Sequence, residues 1–578
     1  MNLKTLLQII YFFLTFSIIQ SCNLFSKKDE TLIIPLRTEF TTVDPHLAYD
    51  YVSNFVTYQI YETLYAYSYL KRPYSVEPLI AEDMPEIFQG GKILRVKIKK
   101  NILYQPNPFI PKNRTVKAQD FVNSFKRYAY KHTGSRAWWL AKGIFQGLDD
   151  INKKIENLES LQKANIEGIK AIDDYTLEFH LQNPLPPHQV LNLLCMSFTT
   201  PIPEEVFTKM NNDLTKYQVG TGAYILQKFE AKIGAELSYF KDYKTVKYPN
   251  SGDRVAHELN YFTDANKDIP FIKNVSFKII TDEVERWKFY QENELAILEL
   301  PRTFLPEVFD VNGSIKTEVT NKGMQLEQTS SLTFWFLEMN MKDKIVGKNK
   351  LLRQAIAHAI NIETYLHDYN NNADQKANSL YPPGVFGYAA SKDLPYKYDL
   401  EKAKKLLEKA GYPGGKNLPV LKLDTRRDKG MNITQAEFVK SQLAEIGIKI
   451  EIVVNTFNQF IEKSKKKEMQ IWQGGWLMDF PDAENILQLF YSANSPDGGP
   501  NKSQYSNVLF DETYLKIVKM TNSPEKFIEL EKAEKIINED LPVIMFYYAK
   551  NYYLYRNKIK NFRLNELSMG FIKYLKID

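Results

Sequence analysis

Hydrophobic and polar positions along this chain follow two periods. Ile93 to Lys99 alternates apolar with basic residues, Thr176 to Leu181 alternates again, and each predicts a half-exposed strand. Leu32 to Leu36, Val275 to Ile280 and Leu332 to Asn340 are further strand candidates, and Gly220-Thr221-Gly222-Ala223-Tyr224 is a tight turn entering another. Helical spacing takes over from Ser53 to Leu64, from Ala118 (Phe121, Val122 and Phe125 on one face), and from Leu351 to Ile360. Asp399 caps the clearest helix, Leu400 to Ala410, which Gly411 stops before Pro413. Val420 to Leu423, a helix over about Gln435 to Ile446, and Ile448 to Val454 read as a strand–helix–strand unit. Such mixing predicts α/β lobes. With no repeat and no long linker, short strands should cross between the lobes, a layout that permits hinge closure.

The amino terminus obeys a different rule. A small basic start is followed by an almost wholly apolar run from Leu6 to Ile19, which breaks at Gln20-Ser21-Cys22. That run is short for a membrane span, which needs roughly 20 apolar residues, and has the layout of a secretory signal. Asn23 to Glu30 then reads as a tether, so the folded part should stand in an exported, aqueous compartment. Cys195 is the other of two cysteines. Its apolar neighbours make it most simply a small buried hydrophobe, and stability must come from core burial.

Composition narrows the class. At 578 residues, 44% hydrophobic, the chain supports two or three lobes. The 75 basic and 69 acidic residues are interspersed, which excludes a nucleic-acid footprint. Seven histidines form no zinc-protease motif or metal-ligand cluster, and neither a nucleophile elbow nor a phosphate loop occurs. No enzyme chemistry and no cofactor or metal is implied.

The stretch with the most unusual chemistry is Gly474-Gly475-Trp476-Leu477-Met478-Asp479-Phe480-Pro481-Asp482. The paired glycines allow a turn or a close approach, and Trp476 offers a flat apolar face. Asp479 stands among apolar residues at a strand end, where burial is costly unless it meets a cation.

Several stretches together resemble the bacterial extracellular solute-binding proteins of the dipeptide and oligopeptide ABC-transporter type. They are Val43-Asp44-Pro45-His46, Tyr61-Glu62-Thr63-Leu64, Thr115 to Phe121 with Ser124-Phe125-Lys126-Arg127, Gly220 to Tyr224, Arg353 to Ile360, Ala403 to Tyr412, and Gly475 to Asp482. Ile18 to Cys22 similarly resembles a bacterial lipobox, which implies a lipidated Cys22 and attachment to a bacterial membrane on the periplasmic or cell-surface side. The family implies a two-lobed periplasmic-binding-protein fold (type II, cluster C) with an inserted domain. On this chain that gives a signal peptide 1–22, a tether 23–30, lobe I from 31–52, 199–328 and 547–578, an inserted domain II at 53–198, and lobe III at 329–546.

By the same resemblance Asp479 pairs with the α-ammonium of a bound peptide. Gly475, Trp476, Glu39 and Thr41 hold its backbone in a strand-like manner. Phe457, Trp138 and Trp139 wall the site, and Asn501, Tyr505 and Tyr547 are hydrogen-bonding candidates. The implied partners are short peptides with a free amino terminus and the permease subunits of an importer, with the protein itself a monomer. Two positions depart from some oligopeptide-binding relatives: Leu477 replaces a cysteine, and Gln473 replaces an arginine able to meet the peptide carboxylate. The carboxyl-end partner is thus left open. Alternatives are the same fold carrying a nickel chelate, haem or sugar, or a peptide-sensing lipoprotein without transport.

Overall fold

The computed structural model describes residues 31–310, 313–426, 431–496 and 499–578. The signal segment, Cys22 and the tether lie outside the described residues. Strand Thr31–Leu36 runs parallel to Asn274–Ile279, and Gly234–Tyr239 and Tyr224–Glu230 continue that sheet antiparallel. Its apolar face, helix Tyr51–Ile60 and the carboxy-terminal Phe562, Phe571 and Leu575 make one core.

The helix expected to reach Leu64 ends at Ile60, and Tyr61 is already extended. The Gly220–Tyr224 turn explains the stop. Gly222 N donates to the Ile60 carbonyl at 2.8 Å, and a Cβ on Gly220 would lie 1.9 Å from that oxygen. Only glycine lets the turn take over the carbonyl that a longer helix would have used.

A second core lies between an antiparallel sheet and the helix Ala118–Ala129. The sheet's strands run in the order Glu86–Phe88, Ile93–Lys97, Thr176–His180, Ile169–Asp173. Cys195 is buried in this core and unpaired, and burial holds its thiol in the neutral form.

The third core surrounds a seven-stranded mixed sheet. Leu421–Arg426 and Ile450–Asn455 pair in parallel through the crossover helix Met431–Ala444, and Leu421–Arg426 also pairs in parallel with Ile471–Leu477. The connections between lobes are longer than the sequence suggests. Strands Met324–Met339 and Val543–Arg556 pair antiparallel over 16 and 14 residues. Their Met324 and Leu554 end packs with Tyr290 and Leu298, and their Phe336 and Ile544 end packs in the third core. A continuous pair keeps its backbone hydrogen-bonded while it passes from one core to another. The register shifts between Ser330 and Phe334, where the Leu332 amide donates to the Glu566 carboxylate at 2.7 Å, and again between Trp335 and Phe336.

Candidate functional site

The strand Ile471–Leu477 pairs along its length with Thr333–Met339. On its other side the pairing stops at Asp424 opposite Trp472. Among the described residues, Gln473 to Leu477 thus has a strand partner on one side only, leaving an edge on which an extended chain can be added. The paired glycines serve the neighbouring strand: a Cβ on Gly474 would meet the Phe336 ring at 2.3 Å, and one on Gly475 the Trp335 ring at 2.6 Å. They admit aromatic rings across a strand, where a turn or ligand approach is the more obvious reading of the sequence.

Beyond the strand, successive side chains of the loop enter different cores. Met478 packs in the third core and Phe480 in the second, with Asp479 between them at the seam. Asp479 Oδ1 accepts from the Tyr49 hydroxyl at 3.1 Å and Oδ2 from Asn485 Nδ2 at 3.0 Å. Asn485 Oδ1 in turn accepts from the Asp479 amide and from Trp476 Nε1 at 2.8 Å. The carboxylate is half-buried, and among the described residues no cationic side chain is within ion-pair distance of it. Burial raises its pKa to about 6, against the opposing pull of Asn485 and Tyr49. The two neutral partners hold the group in place without supplying a countercharge.

Trp139 faces Trp476 across the seam at 6.4 Å between ring centroids, tilted 56°. Trp138 points elsewhere and makes an edge contact with Tyr128 at 5.7 Å. Tyr49 is the contact that the sequence reading missed. The signal that could have found it is its place three residues after His46, in the segment that the buried Asp44–Arg127 pair holds to the second core.

The remaining candidates separate. Glu39 and Thr41 are exposed, and the Thr41 amide donates to Ser53 Oγ at 3.3 Å. Tyr547 is buried on the same face of the sheet as its cross-strand partner Trp335, with the two rings 6.5 Å apart and its own ring stacked on Tyr365. Asn501 and Tyr505 are not brought to the seam. Asn501 is fully buried and donates to the Tyr491 and Tyr505 carbonyls, while the Tyr505 hydroxyl donates to Asp540 at 2.6 Å. Both serve the interior of the third lobe, because their polar atoms are consumed locally. Phe457 opens the helix Phe457–Lys466, and its side chain lies outside the described part.

Gln473, at the position where an arginine was the alternative, is buried. Its amide donates to Gln435 Oε1 at 3.0 Å and to the Asn432 carbonyl at 2.7 Å, and Thr425 donates to its oxygen. One residue on from Thr425, where the two strands diverge, the Arg426 guanidinium lies 5.2 Å from the Trp335 ring centre and 5.3 Å from that of Phe460. Trp335 is the ring that covers Gly475, so a stacked cation borders the open edge.

Among the described residues, this two-lobed α/β protein has a carboxylate without a cationic partner at the seam and beside it a strand edge paired on one side only, a geometry able to enclose a ligand between the lobes. The profile of the bacterial extracellular solute-binding proteins, family 5, matches residues 75–498, and the chain belongs to that family. It is 23% identical over 511 residues to the dipeptide-binding protein of Escherichia coli K12, covering 87% of this chain and 86% of that one. Among solved structures, the DppA periplasmic binding protein of Helicobacter pylori in complex with the peptide STSA superposes with a TM-score of 0.76 at 23% identity. The match covers 95% of this chain and 98% of that one. The dipeptide-binding protein of Pseudoalteromonas sp. SM9913 in complex with Met-Leu gives 0.76 at 18% identity, covering 95% and 100%. No helix among the described residues is long and apolar enough to cross a membrane.

Proposed function

We propose that this protein is the substrate-binding component of an ABC importer, capturing short peptides by their free amino terminus and delivering them to a membrane permease. The observation that carries the reading is the uncompensated Asp479 at the seam. A carboxylate held by two neutral donors and costly to ionise selects a ligand that brings its own positive charge. A sugar has none to offer. The peptide-binding names of the similar proteins support the same reading.

Arg426 is the cation we assign to the peptide carboxylate, in place of the arginine absent at Gln473. The last paired residues are Asp424 and Trp472, so Arg426 leaves its strand near Gly474, which stands five residues before Asp479. At about 3.3 Å per residue that span is roughly 16 Å, and the reach of the two side chains leaves room for about two or three extended residues. Calorimetric titration with dipeptides and tripeptides, each beside its N-acetylated and C-amidated form, tests the assignment. Arg426→Ala should weaken a free-acid dipeptide by about 10- to 100-fold. The same substitution should leave an already amidated dipeptide nearly unaffected, and an equal loss for both would remove Arg426 from the site.

The raised pKa of Asp479 gives a second expectation. Its ionised fraction falls as pH drops through about 6. Affinity for a dipeptide should therefore be about tenfold weaker at pH 5 than at pH 7. An affinity that is flat over that range, or rises on acidification, would contradict the ammonium pairing.

Cys22 carries the lipid anchor in this proposal, with the folded part held at the outer face of a bacterial membrane and working as a monomer. Metabolic labelling with a palmitate analogue, compared between the wild type and Cys22→Ala, reads the anchor directly.

A further inference from the structure

Three residues past Asp479 the same loop makes a second set of contacts across the seam. Asp482 is buried, with Lys526 Nζ of the third lobe 3.2 Å away on one side. On the other, His188 Nε2 lies 3.2 Å from Asp482 Oδ2, at an angle that makes no hydrogen bond; the contact is an ion pair only when the imidazole carries its second proton. His188 stands at the start of the helix Pro187–Leu194, which belongs to the second core, and its side chain is about a third exposed. Its neighbour Gln189 also reaches across, donating to the Val518 carbonyl at 2.6 Å. Between Asp479 and Asp482, the Phe480 ring is buried among the residues of the second core although its backbone belongs to the third lobe. Lys526 is fully buried, and Asp482 is its one carboxylate partner among the described residues.

We propose that Phe480, Asp482 and His188 form a closure latch built into the ligand-anchoring loop, so that seating the peptide ammonium on Asp479 and docking the third lobe on the second are one coupled event. The parts divide the work by chemistry. Lys526 stays with Asp482 in the third lobe and keeps it ionised when the lobes part. His188 adds an attractive contact only when they meet, and Phe480 leaves water for an apolar core at the same moment. Burial drives the Asp482 carboxyl up, but His188 and Lys526 outweigh it and hold its pKa down at about 2, so the latch carries its negative charge throughout the range in which Asp479 titrates. The loop thus holds two carboxylates of opposite character: one is satisfied by the protein, and the other waits for the ligand. These are positioning residues, because none of the three is placed against the peptide.

The latch draws on the capture reading only for its ligand, so the test has a ligand-free arm. Small-angle X-ray scattering of the ligand-free protein should show a larger radius of gyration for His188→Ala than for wild type. Tryptophan fluorescence should report Trp139 and Trp476 moving apart. With the dipeptide Ala-Ala as probe, stopped-flow kinetics should show dissociation about tenfold faster in His188→Ala and nearly unchanged association, since a contact made after encounter acts on the off-rate. Phe480→Ala also opens a cavity in the second core, so the part-exposed His188 carries the test, and His188→Lys, which places a permanent cation at the same position, should recover the slow off-rate. Either the scattering change or the faster dissociation, reversed by lysine, supports the latch. Wild-type scattering together with a wild-type off-rate in His188→Ala overturns it. If wild type does not bind Ala-Ala at all, the capture reading fails while the scattering comparison still decides the latch.

Discussion

Asp479→Ala should lower affinity for a short peptide by about 10²- to 10³-fold, and should do so without unfolding the protein. The two halves of that expectation have the same origin. In the closed cleft the peptide ammonium needs a countercharge, and removing one member of a desolvated pair costs several kcal/mol because the other is left uncompensated. In the ligand-free protein the situation reverses. A carboxyl whose pKa is raised to about 6 is destabilising when ionised, by about 3 kcal/mol relative to an exposed aspartate, and that cost disappears as pH falls through the same range. Alanine removes the cost but strands the Tyr49 and Asn485 donors, at about 1–3 kcal/mol each. The terms nearly cancel, so the melting temperature should stay within about 5 °C of wild type. Calorimetry beside a melting curve reads both halves. Unchanged affinity would remove Asp479 from the ligand, and a large fall in melting temperature would make it a structural residue. Acetylating the peptide amine of a wild-type ligand should reproduce the loss, since it deletes the other member of the pair.

Arg127→Leu should have the complementary effect, a loss of about 3–5 kcal/mol of stability, read as a lower denaturant midpoint. Arg127 Nη1 and Nη2 donate to Asp44 at 2.8 and 2.5 Å, and its Nε donates to Asn212 at 2.7 Å. Asp44 is fully buried. Burial pushes its pKa up, and the Arg127 charge more than offsets this, so the group remains ionised. His46, against the same guanidinium, is pushed down to about 3 by burial and by Arg127, and stays neutral. Leucine in place of Arg127 leaves the Asp44 carboxylate buried without its cation. Because this cluster holds the segment that ends in Tyr49, ligand affinity should fall as well, but only as a consequence of lost order. Asp44→Asn in the Arg127→Leu background separates the two contributions: it removes the stranded charge and should recover part of the stability.

These two aspartates mark where a linear reading stops. Asp44 and Asp479 both sit in short apolar contexts before a proline, within one residue for Asp44 and two for Asp479. Neither the spacing nor the neighbours say which is paired. Arg127 lies 83 residues from Asp44 in the chain, and only the folded chain brings it to 2.5 Å. The strand–helix–strand unit over 421–455 was legible because its paired strands are neighbours in the chain and are bounded by turn residues such as Gly447. The end of the first helix at Ile60 was not, because the competing donor to the Ile60 carbonyl is the distant Gly222 amide.

The site shows the same division. Asp479, Trp476 and Trp139 could be named from the chain, the first two by the chemistry of one loop and all three by resemblance. Asn501 and Tyr505 had the right polarity, but their donors and acceptors are used up inside the third lobe. Tyr49 is marked only by its place three residues after His46, and Arg426 carries no local mark at all. Tyr49 reaches the seam because the Asp44 cluster fixes its segment, and Arg426 comes to lie on the Trp335 ring because its strand stops pairing with Ile471–Leu477 just before it.

The order of residues alone determined the α/β class, the elements with strong local periods, and the presence of an acidic group in an apolar loop, since propensity and patterning act over a few residues. Tertiary structure alone decided which carboxylate keeps its charge unpartnered, which rings meet across the seam, and which loop residues enter the opposite lobe. Those outcomes depend on the dielectric depth and on partners brought together from far along the chain, and neither quantity exists until the lobes are packed.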